Sequence, residues 1–482
     1  MTGTTLGTSP YRSYVYAYPH KTAYRPLAGH PGGRPLLSDL WAAERKDALS
    51  LYLHIPFCEV RCGFCNLFTR IGAPEELTTR YLDALDRQAT AVRDALGDDG
   101  PVRFASAAFG GGTPTFLTAG ELERLCDIAE KRMGADLGAV PLSVETSPST
   151  ATADRLAVLA DRGTTRISIG VQSFVDAEAR AAVRPQHRSE VEAALGRIRE
   201  ARIPVLNIDL IYGIEGQTED TWRTSLDAAL AWSPEELYLY PLYVRPLTGL
   251  GRLGTGAEGP DAAWDEQRLR LYRAGRDHLL AHGYEQVSMR MFRRVDAPPA
   301  GPDDYACQTD GMIGLGCGAR SYTSSLHYSF DYAVEMREIR GIIDGFTTTT
   351  DFSRAEVGRY VDGGEARRRH LLQSLLQAEG MRSAEYRERF GSDPYEDFPA
   401  ELELFAARGW LDDSGSGGSA SGRSVSARPV SARSASGRSV AGRSAAPDLL
   451  RLSPEGLAHS DALGPELFSP AVRAAMAAYE AK

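Results

Sequence analysis

Apolar residues recur in two alternating patterns between residues 50 and 245. Short, nearly continuous apolar runs are typical of buried strands, whereas apolar residues spaced three and four apart are typical of amphipathic helices. The predicted strands are Leu51–Phe57, Val102–Phe109, Leu142–Thr146, Arg166–Val171, Val205–Tyr212 and Leu237–Val244. The predicted helices between them span residues 77–96, 121–131, 152–161, 189–201 and 218–231.

This alternation predicts an α/β fold built from six βα units, with a parallel sheet that curls into a barrel. Eight such units are not visible, so we predict an open, partial (β/α)6 barrel of the TIM type. In barrels of this kind the chemistry lies at the carboxyl ends of the strands. Polar residues that follow the predicted strands are therefore the first candidates for a site.

Residues 1–45 predict an N-terminal arm rather than a part of the barrel. The arm interleaves five tyrosines with cationic residues and a histidine: Tyr11, Tyr14, Tyr16, Tyr18 and Tyr24, with Arg12, His20, Lys21 and Arg25. Such a segment can lie across the barrel mouth and offer stacking faces and cations to a planar or anionic ligand. Alternatively, it covers one end of the barrel with packed tyrosines.

Residues 46–330 are predicted to form the core, and residues 331–482 a small winged-helix-like C-terminal domain. A helix over residues 262–282 and a glycine-rich segment around residue 314 close the core. The C-terminal region contains an insert, residues 414–446, of Ser, Gly, Ala and regularly spaced Arg. Because it has nothing apolar to bury, we predict a disordered loop that can be deleted without loss of activity. A basic tether for an acidic partner is the alternative.

Composition describes an ordinary globular protein. The chain has 482 residues, 43% hydrophobic and 24% charged, with a formal net charge of −10. The acidic balance argues against a nucleic-acid partner, and no apolar run approaches the roughly 18 residues of a membrane span. The N-terminus lacks the layout of a signal peptide. Six cysteines do not make a disulfide scaffold, so a reducing cytoplasm is expected.

Three of the six cysteines follow the first predicted strand. Cys58, Cys62 and Cys65 form a C-x3-C-x2-C array, and the next cysteine, Cys126, lies 61 residues further on. Thiolates this close in sequence can converge on a soft metal centre, either zinc or an iron–sulfur cluster. Zinc and fully protein-ligated clusters take four ligands, so three cysteines on a cubane leave one iron open for a substrate.

Further candidate site residues follow the later strands or lie within them. They are Gly110, Gly111, Gly112 and Thr113 after the second strand, Glu145 at the third, Gln172 and Arg184 after the fourth, Asp209 in the fifth, and Tyr243 and Arg245 after the sixth. Glycines let a backbone approach a ligand closely, an arginine suits a carboxylate, and an acid inside a buried strand requires a partner. The alternatives are that the glycines form a tight turn, that Glu145 and Arg184 are solvated surface charges, and that Asp209 is paired for structural reasons.

The combined motifs LYLHIPFC, C-x3-C-x2-C, GGGTPT, RISIGVQSF and NIDLIYG resemble the radical S-adenosylmethionine (SAM) superfamily, in its HemN-like branch. The resemblance implies a [4Fe-4S] cluster held by Cys58, Cys62 and Cys65, whose open iron chelates SAM. It implies reductive cleavage of SAM to methionine and a 5′-deoxyadenosyl radical that abstracts hydrogen from a small-molecule substrate. A flavodoxin or ferredoxin is the expected electron donor.

The resemblance also assigns roles to individual residues. The GGGTPT backbone, including Gly111, Gly112 and Thr113, is expected to bind the methionyl ammonium of SAM. Tyr52 and Phe64 match positions that pack on SAM. The remaining SAM-pocket candidates are Glu145, Gln172, Arg184, Asp209, Tyr243 and Arg320, and the candidate catalytic residues are Tyr52, Glu145, Gln172, Arg184 and Asp209. Cys307 and Cys317 are predicted to be small core residues.

The branch offers three activities, and the sequence bears on each of them. Oxygen-independent coproporphyrinogen III dehydrogenases usually have a cysteine two residues after the third ligand, where this chain has Leu67. The haem chaperone has a His-Asn-x-x-Tyr-Trp stretch that is absent here. We therefore predict the third activity, methyl or methylene transfer from a second SAM molecule to a natural-product substrate. The dehydrogenase and the chaperone are the alternatives.

Overall fold

The computed structural model describes residues 9–12, 17–98, 100–254, 261–298, 307–412 and 448–479. Its strands are β1 Arg25–Pro26, β2 Leu49–Ile55, β3 Phe57–Cys58, β4 Arg70–Ile71, β5 Phe104–Gly111, β6 Leu142–Thr146, β7 Arg166–Gln172, β8 Val205–Tyr212, β9 Glu236–Pro241, β10 Tyr284–Gln286, β11 Met291–Arg294, β12 Met312–Leu315, β13 Arg320–Tyr322, β14 Leu326–Ser329, β15 Val357–Tyr360, β16 Met381–Arg382 and β17 Leu449–Leu450.

The helices of the described residues follow the same chain order. They are α1 Leu37–Ala42, α2 Glu75–Leu96, α3 Ala119–Asp127, α4 Ala153–Asp161, α5 Asp176–Ala181, α6 Arg188–Glu200, α7 Glu219–Leu230, α8 Gly249–Leu253, α9 Ala262–Ala281, α10 Cys307–Asp310, α11 Met336–Thr348, α12 Gly363–Leu375, α13 Ser383–Phe390, α14 Pro394–Asp397, α15 Pro399–Ala407, α16 Pro454–Ala458, α17 Ser460–Leu467 and α18 Pro470–Ala477. Short 3-10 turns occur at Lys21–Ala23, Leu27–Gly29 and Pro114–Phe116.

One sheet of thirteen strands organises the molecule, in the order β1-β15-β14-β13-β12-β2-β5-β6-β7-β8-β9-β11-β10. The six strands from β2 to β9 in this order are mutually parallel, and β12 adds a seventh parallel strand beside β2. The other strands of the sheet pair antiparallel on both flanks. The carboxyl ends of the seven parallel strands therefore meet at one rim.

The predicted fold class, a partial (β/α)6 barrel with an arm and a C-terminal region, is confirmed. The predicted strands all appear, with ends that differ by up to three residues. The flanking strands β10–β15 were not predicted because each has only three or four residues, too few to show a period. In β12, a Cβ atom on Gly314 would lie 2.2 Å from the carbonyl oxygen of Arg320, so a close hairpin requires glycine at this position.

Two apolar cores hold the chain together. The larger core fills the barrel and the space between its strands and helices. The smaller core joins helices α12–α18 and also contains Tyr18 and Ala23 from the arm. Because the arm contributes buried side chains to the C-terminal core, it is packed structure over these residues and fastens the two ends of the chain to each other.

The predicted domain boundaries stay predictions. Strand β15 lies beyond the predicted boundary at residue 330, yet it pairs with β14 in the main sheet. The insert at residues 414–446 lies outside the described residues, as do Tyr14 and Tyr16 of the arm. Among the described residues, no helix combines the length and the apolarity that a membrane span requires.

Candidate active site

A cavity of about 880 Å³ opens at the carboxyl ends of the parallel strands. Its wall includes the cysteine loop after β2, the strand ends of the barrel, β13 and the segment after β14, the N-terminal arm and the last helix. The volume lies within the range of cavities that bind cofactors and small ligands. This rim is where a parallel barrel concentrates polar groups, so the cavity is the candidate active site.

The cysteine loop is held in place by neighbouring backbone. Strand β3 pairs with β4, so the loop between them, residues 59–69, projects from the barrel rim. The Gly63 N–H donates to the carbonyl of Ala182 at 3.0 Å, and the Leu250 N–H donates to the carbonyl of Gly63 at 2.7 Å. A Cβ atom on Gly63 would lie 2.7 Å from that of Val183, so glycine permits this contact.

All three predicted thiols line the cavity, and each has its own polar neighbour. The hydroxyl of Thr113 lies 3.4 Å from Cys58 Sγ, and the hydroxyl of Thr69 lies 3.6 Å from Cys65 Sγ. Arg184 donates from Nη1 to Cys62 Sγ at 2.9 Å. Burial raises the pKa of Cys58 to about 12, and burial also raises the pKa of Cys65. Protonated thiols are thus favoured until a metal cation takes the place of the protons.

These residues fit an iron–sulfur cluster with an open position. Three thiols converge on one cavity, and no other cysteine lines it among the described residues. Cys126 and Cys317 are fully buried elsewhere, and Cys307 also lies away from the cavity wall. The donor set is therefore soft and one ligand short of a closed tetrahedral site.

Glycines allow β5 to end against the cysteine loop. Gly111 has a φ of +114°, and a Cβ atom on it would lie 2.5 Å from the ring of His54. A Cβ atom on Gly112 would lie 2.7 Å from the carbonyl oxygen of Phe57 and 3.0 Å from Cys58 Sγ. Both positions exclude larger residues. The glycines are therefore needed for β5 to pack closely against β2 and the cysteine loop, whether or not a ligand is bound.

Two carboxylates form an acidic part of the cavity. Glu145 at the end of β6 accepts a hydrogen bond at 3.0 Å from the Gly111 N–H, and its side chain is accessible from the cavity. Desolvation by the surrounding protein raises the pKa of Glu145 to about 7, and the neighbouring charge of Asp209 contributes to this rise. Burial likewise raises the pKa of Asp209, which accepts hydrogen bonds from Asn207 at 2.8 Å and Ser168 at 3.3 Å. A ligand cation placed here would favour the ionised carboxylates.

Gln172 and Arg184 lie between the thiols and the acids. Gln172 ends β7 with a φ of +71°, after an irregularity in its pairing with β8. A non-glycine residue in this region is strained, and such strain clusters at ligand sites. Arg184 also donates to Gln186 at 2.6 Å and to the carbonyl of Gly170. The guanidinium therefore contacts a thiol in this structure, whereas the sequence led us to expect a role toward a carboxylate.

The opposite part of the cavity is basic. His20, Lys21, Arg245 and Arg320 line it, and the charges of the other three, together with burial, hold the pKa of His20 well below its usual range. Lys21 lies over the ring of Tyr332, 3.7 Å from its centroid. Arg245 lies 4.8 Å from the ring centroid of Tyr243. The three cations and the neutral imidazole suit an anionic ligand.

The C-terminal region completes the wall. Met476 and Tyr479 line the cavity, and α18 packs against the 3-10 turn of the arm. Tyr243 donates to the buried carboxylate of Asp461 at 2.5 Å, and Arg290 donates to the same carboxylate. The side chain of Tyr243 is therefore positioned by a helix from a distant part of the chain.

The cavity brings together twelve of the fourteen predicted site residues. Gly111 and Tyr52 do not line it. The Tyr52 hydroxyl lies 3.2 Å from His54 Nδ1, behind the strand ends and close to the carboxyl group of Glu145. Residues that sequence reasoning missed include Thr69, Gln186, Met476 and Tyr479. Thr69 gave a weak sequence signal, because its hydroxyl follows Cys65 by four residues. No local sequence feature pointed to Met476 or Tyr479.

Comparisons with known proteins agree with this geometry. Residues 52–229 match the family model of the radical SAM superfamily. The oxygen-independent coproporphyrinogen III oxidase of Paracoccus denitrificans is 33% identical over 286 residues, which are 58% of this chain and 60% of that protein. The heme chaperone HemW of Bacillus subtilis is 25% identical over 373 residues, 76% of this chain and 93% of that protein. The first alignment thus spans less than two thirds of its relative.

A solved structure supports the fold. The coproporphyrinogen III oxidase HemN from Escherichia coli superposes with a TM-score of 0.69 at 23% identity, over 83% of this chain and 91% of that chain. Barrel, thiol loop and family match together define a radical SAM domain over residues 52–229. Within that superfamily, the chain resembles the HemN-like branch, to which these relatives point. Its cofactors are accordingly a [4Fe-4S] cluster and SAM.

The predicted methyl or methylene transfer was wrong. The relatives are named as coproporphyrinogen III oxidases and a heme chaperone, not as methyltransferases. The error has a physical reason, because the motifs used for the prediction build the cluster and SAM pocket that the whole branch shares. The choice of reaction depends on the substrate side of the cavity. There the sequence pointed to the arm as a segment for a planar or anionic ligand, but no motif specified the reaction.

Proposed function

We propose that this radical SAM enzyme carries out oxidative decarboxylation of a carboxylate-bearing tetrapyrrole of the coproporphyrinogen III type. The observation that carries the proposal is the basic part of the cavity, formed by His20, Lys21, Arg245 and Arg320. Coproporphyrinogen III carries several propionate groups, and cations in a recessed cavity complement such a polyanion. The names of the relatives point to the same substrate.

The two parts of the cavity would divide the binding work. Cys58, Cys62 and Cys65 would hold the cluster, while the hydroxyls of Thr113 and Thr69 donate to two of the thiolates. When bound, the cluster and SAM supply the one-electron chemistry that abstracts a hydrogen atom from substrate. The acidic part would face the cationic groups of SAM, and the basic part would orient the propionates toward it.

The remaining wall would exclude water from the reaction. The arm and α18 cover the cavity from two directions, and Arg25 of the arm donates to the Ala475 carbonyl in α18. A water-excluded cavity protects reactive species from side reactions. An electron donor such as flavodoxin or ferredoxin would approach from outside. We also propose a cytoplasmic location, because reduced thiols are needed to hold the cluster.

A second candidate function is heme binding, as the name HemW indicates for that relative. Two observations favour it. The alignment covers 93% of HemW, and Leu67 stands where coproporphyrinogen dehydrogenases usually have cysteine. Leu67 lines the cavity with 48% of its surface exposed, so this departure lies on the ligand side of the site.

One anaerobic experiment separates the two functions. Reconstituted enzyme is mixed with reductant, SAM and coproporphyrinogen III, and 5′-deoxyadenosine, carbon dioxide and the vinyl product are quantified. The proposal expects all three products, together with a KM for porphyrinogen that rises about tenfold or more in Arg245→Ala. This corresponds to about 1.4 kcal/mol or more, which is close to the lower end of the range for a hydrogen bond to a charged group. The matched control is Arg252→Ala, an exposed arginine outside the cavity wall. Tight hemin binding without porphyrinogen consumption would establish the second function instead.

A further inference from the structure

Two histidines and an aspartate converge on the outer side of the barrel, away from the cavity. His278 lies in the last turn of α9, His282 caps that helix one turn later, and Asp227 projects from α7, which packs against α9. One potential ligand atom from each residue lies within 4.8 Å of the others. The centroids of the two imidazole rings are only 4.2 Å apart.

The backbone prepares one imidazole for metal binding. Nδ1 of His282 lies 2.7 Å from the carbonyl oxygen of His278, so this nitrogen carries the proton and donates it. The lone pair of the neutral ring is then on Nε2. Metal-ligating histidines commonly have this arrangement, in which a carbonyl fixes the tautomer through the nitrogen that does not bind the ion.

The second imidazole already faces its anionic partner. His278 Nε2 lies 2.7 Å from Asp227 Oδ1, with a proton between them. A divalent ion with bonds of about 2.0–2.2 Å to each atom would replace that proton and open the N···O distance by about half an ångström. Asp227 and His282 are exposed, and His278 is half-buried, so small side-chain rotations provide this change.

We propose that Asp227, His278 and His282 form a binding site for a divalent transition-metal ion of the zinc type. Two imidazole nitrogens and one carboxylate oxygen are the borderline donors that Zn²⁺ and Ni²⁺ prefer, whereas Ca²⁺ and Mg²⁺ take oxygen ligands. Two histidines spaced by four residues on one helix are a recurrent ligand pair for zinc. Water completes the coordination.

The ion would fasten α7 to the end of α9. Helix α9 also contacts the C-terminal region, because Arg273 pairs with Glu455 at 2.6 Å and Arg276 reaches the carbonyl of Pro454. A metal at the end of α9 therefore stabilises the helix through which the barrel meets that region. The site is independent of the proposed reaction, since none of its three residues lines the cavity.

The test compares metal binding by holoenzyme variants with matched cluster content. Cluster-loaded protein is dialysed anaerobically against micromolar Zn²⁺, and zinc and iron are counted by mass spectrometry while Tm is measured with and without zinc. Wild type is expected to bind one zinc more per chain than His282→Gln and to gain thermal stability on binding. Asp227→Asn keeps a polar neighbour for His278 but loses the anionic ligand, and we expect its zinc affinity to fall at least tenfold.

The matched control is His187→Gln, which removes another exposed imidazole that pairs with a single carboxylate, that of Asp176, at 3.3 Å. This variant is expected to bind zinc like wild type. Equal zinc counts and equal zinc-dependent Tm shifts in wild type and His282→Gln would overturn the proposal. So would a loss of zinc in the His187 variant as large as in the His282 variant, because the binding would then be unspecific.

Discussion

The acidic part of the cavity predicts that SAM binding depends on pH through Glu145. The pKa of this group is raised to about 7 because protein surrounds it and Asp209 lies nearby. SAM carries a sulfonium and an ammonium, so the ionised carboxylate binds it better than the protonated acid does. Affinity should therefore rise with pH through the Glu145 pKa. Glu145→Gln keeps an oxygen that can accept from the Gly111 N–H but cannot ionise.

The size of the effect follows from the ionised fraction. If only ionised Glu145 binds, a pKa of about 7 makes affinity rise about 25-fold between pH 5.5 and 7.5. At the ordinary pKa of 4.5 the affinity would rise by only about 10% over the same pH range. Because the side chain is accessible from a cavity that admits water, screening reduces the shift, so about 25-fold is the upper limit of the expected rise.

The pH range is chosen so that other groups keep their charge. The α-amino group of a peptide titrates near pH 8, so the ammonium of SAM stays mostly protonated up to pH 7.5. The pKa of His54 is lowered to about 4, and that of His20 is also lowered by burial, so both rings stay neutral. Asp209, whose pKa is raised as well, contributes a weaker dependence that remains in Glu145→Gln.

The assay is equilibrium dialysis of radiolabelled SAM against anaerobic, cluster-loaded enzyme without reductant, so that nothing turns over. Wild type is expected to show a rise in affinity of up to about 25-fold, and Glu145→Gln a clearly flatter profile. Glu76→Gln, which neutralises an exposed acid at the start of α2 and outside the cavity wall, serves as the control and should follow wild type. A flat wild-type profile, or the same slope in Glu145→Gln, would refute the role of this carboxylate.

Three further predictions concern the framework around the cavity. Thr69→Val removes a donor to a cluster thiolate, so the reduction potential should fall by about 20–60 mV at unchanged iron content; a potential within error of wild type would contradict this. Tyr243→Phe removes a hydrogen bond to a buried carboxylate and should lower the free energy of unfolding by about 1.5–3 kcal/mol in urea denaturation, while the exposed Tyr360→Phe changes it by less than about 0.5 kcal/mol. Gly111→Ala places a methyl group on a backbone with φ +114° and against the buried ring of His54. The free energy of unfolding should therefore fall by about 1–3 kcal/mol. The control Gly29→Ala meets nothing within 4 Å and should be neutral, and equal stabilities of the two alanine variants would disprove the argument.

The sequence predicted what depends on local pattern. Strands such as Leu142–Thr146 and Val205–Tyr212 have the predicted ends because they are continuous apolar runs that a parallel sheet buries on both faces. The three thiols were predicted from spacing to converge, and they line one cavity because all three lie on one loop. Glu145 was recognised as an acid at a strand end and Asp209 as an acid inside a buried strand, and both side chains line the cavity.

Features that depend on contacts distant in sequence were not predictable in the same way. The contact of Arg184 with Cys62 joins residues 122 positions apart, and no pattern encodes it. Met476 and Tyr479 enter the cavity only because α18 packs on the arm. The reaction itself depends on which ligand the basic part accepts, and that part is assembled from the arm, β13 and the segment after β9. Each contributes one cation, and the three positions share no spacing.

The packing of the arm into the C-terminal core has a consequence for how the enzyme matures. The Ser469 N–H donates to the Tyr18 hydroxyl across 451 positions of sequence. During synthesis the ribosome makes one partner long before the other, so the barrel can form while its opening is still uncovered. Cluster insertion therefore has a natural time window in the nascent protein, before the two ends meet and enclose the thiols.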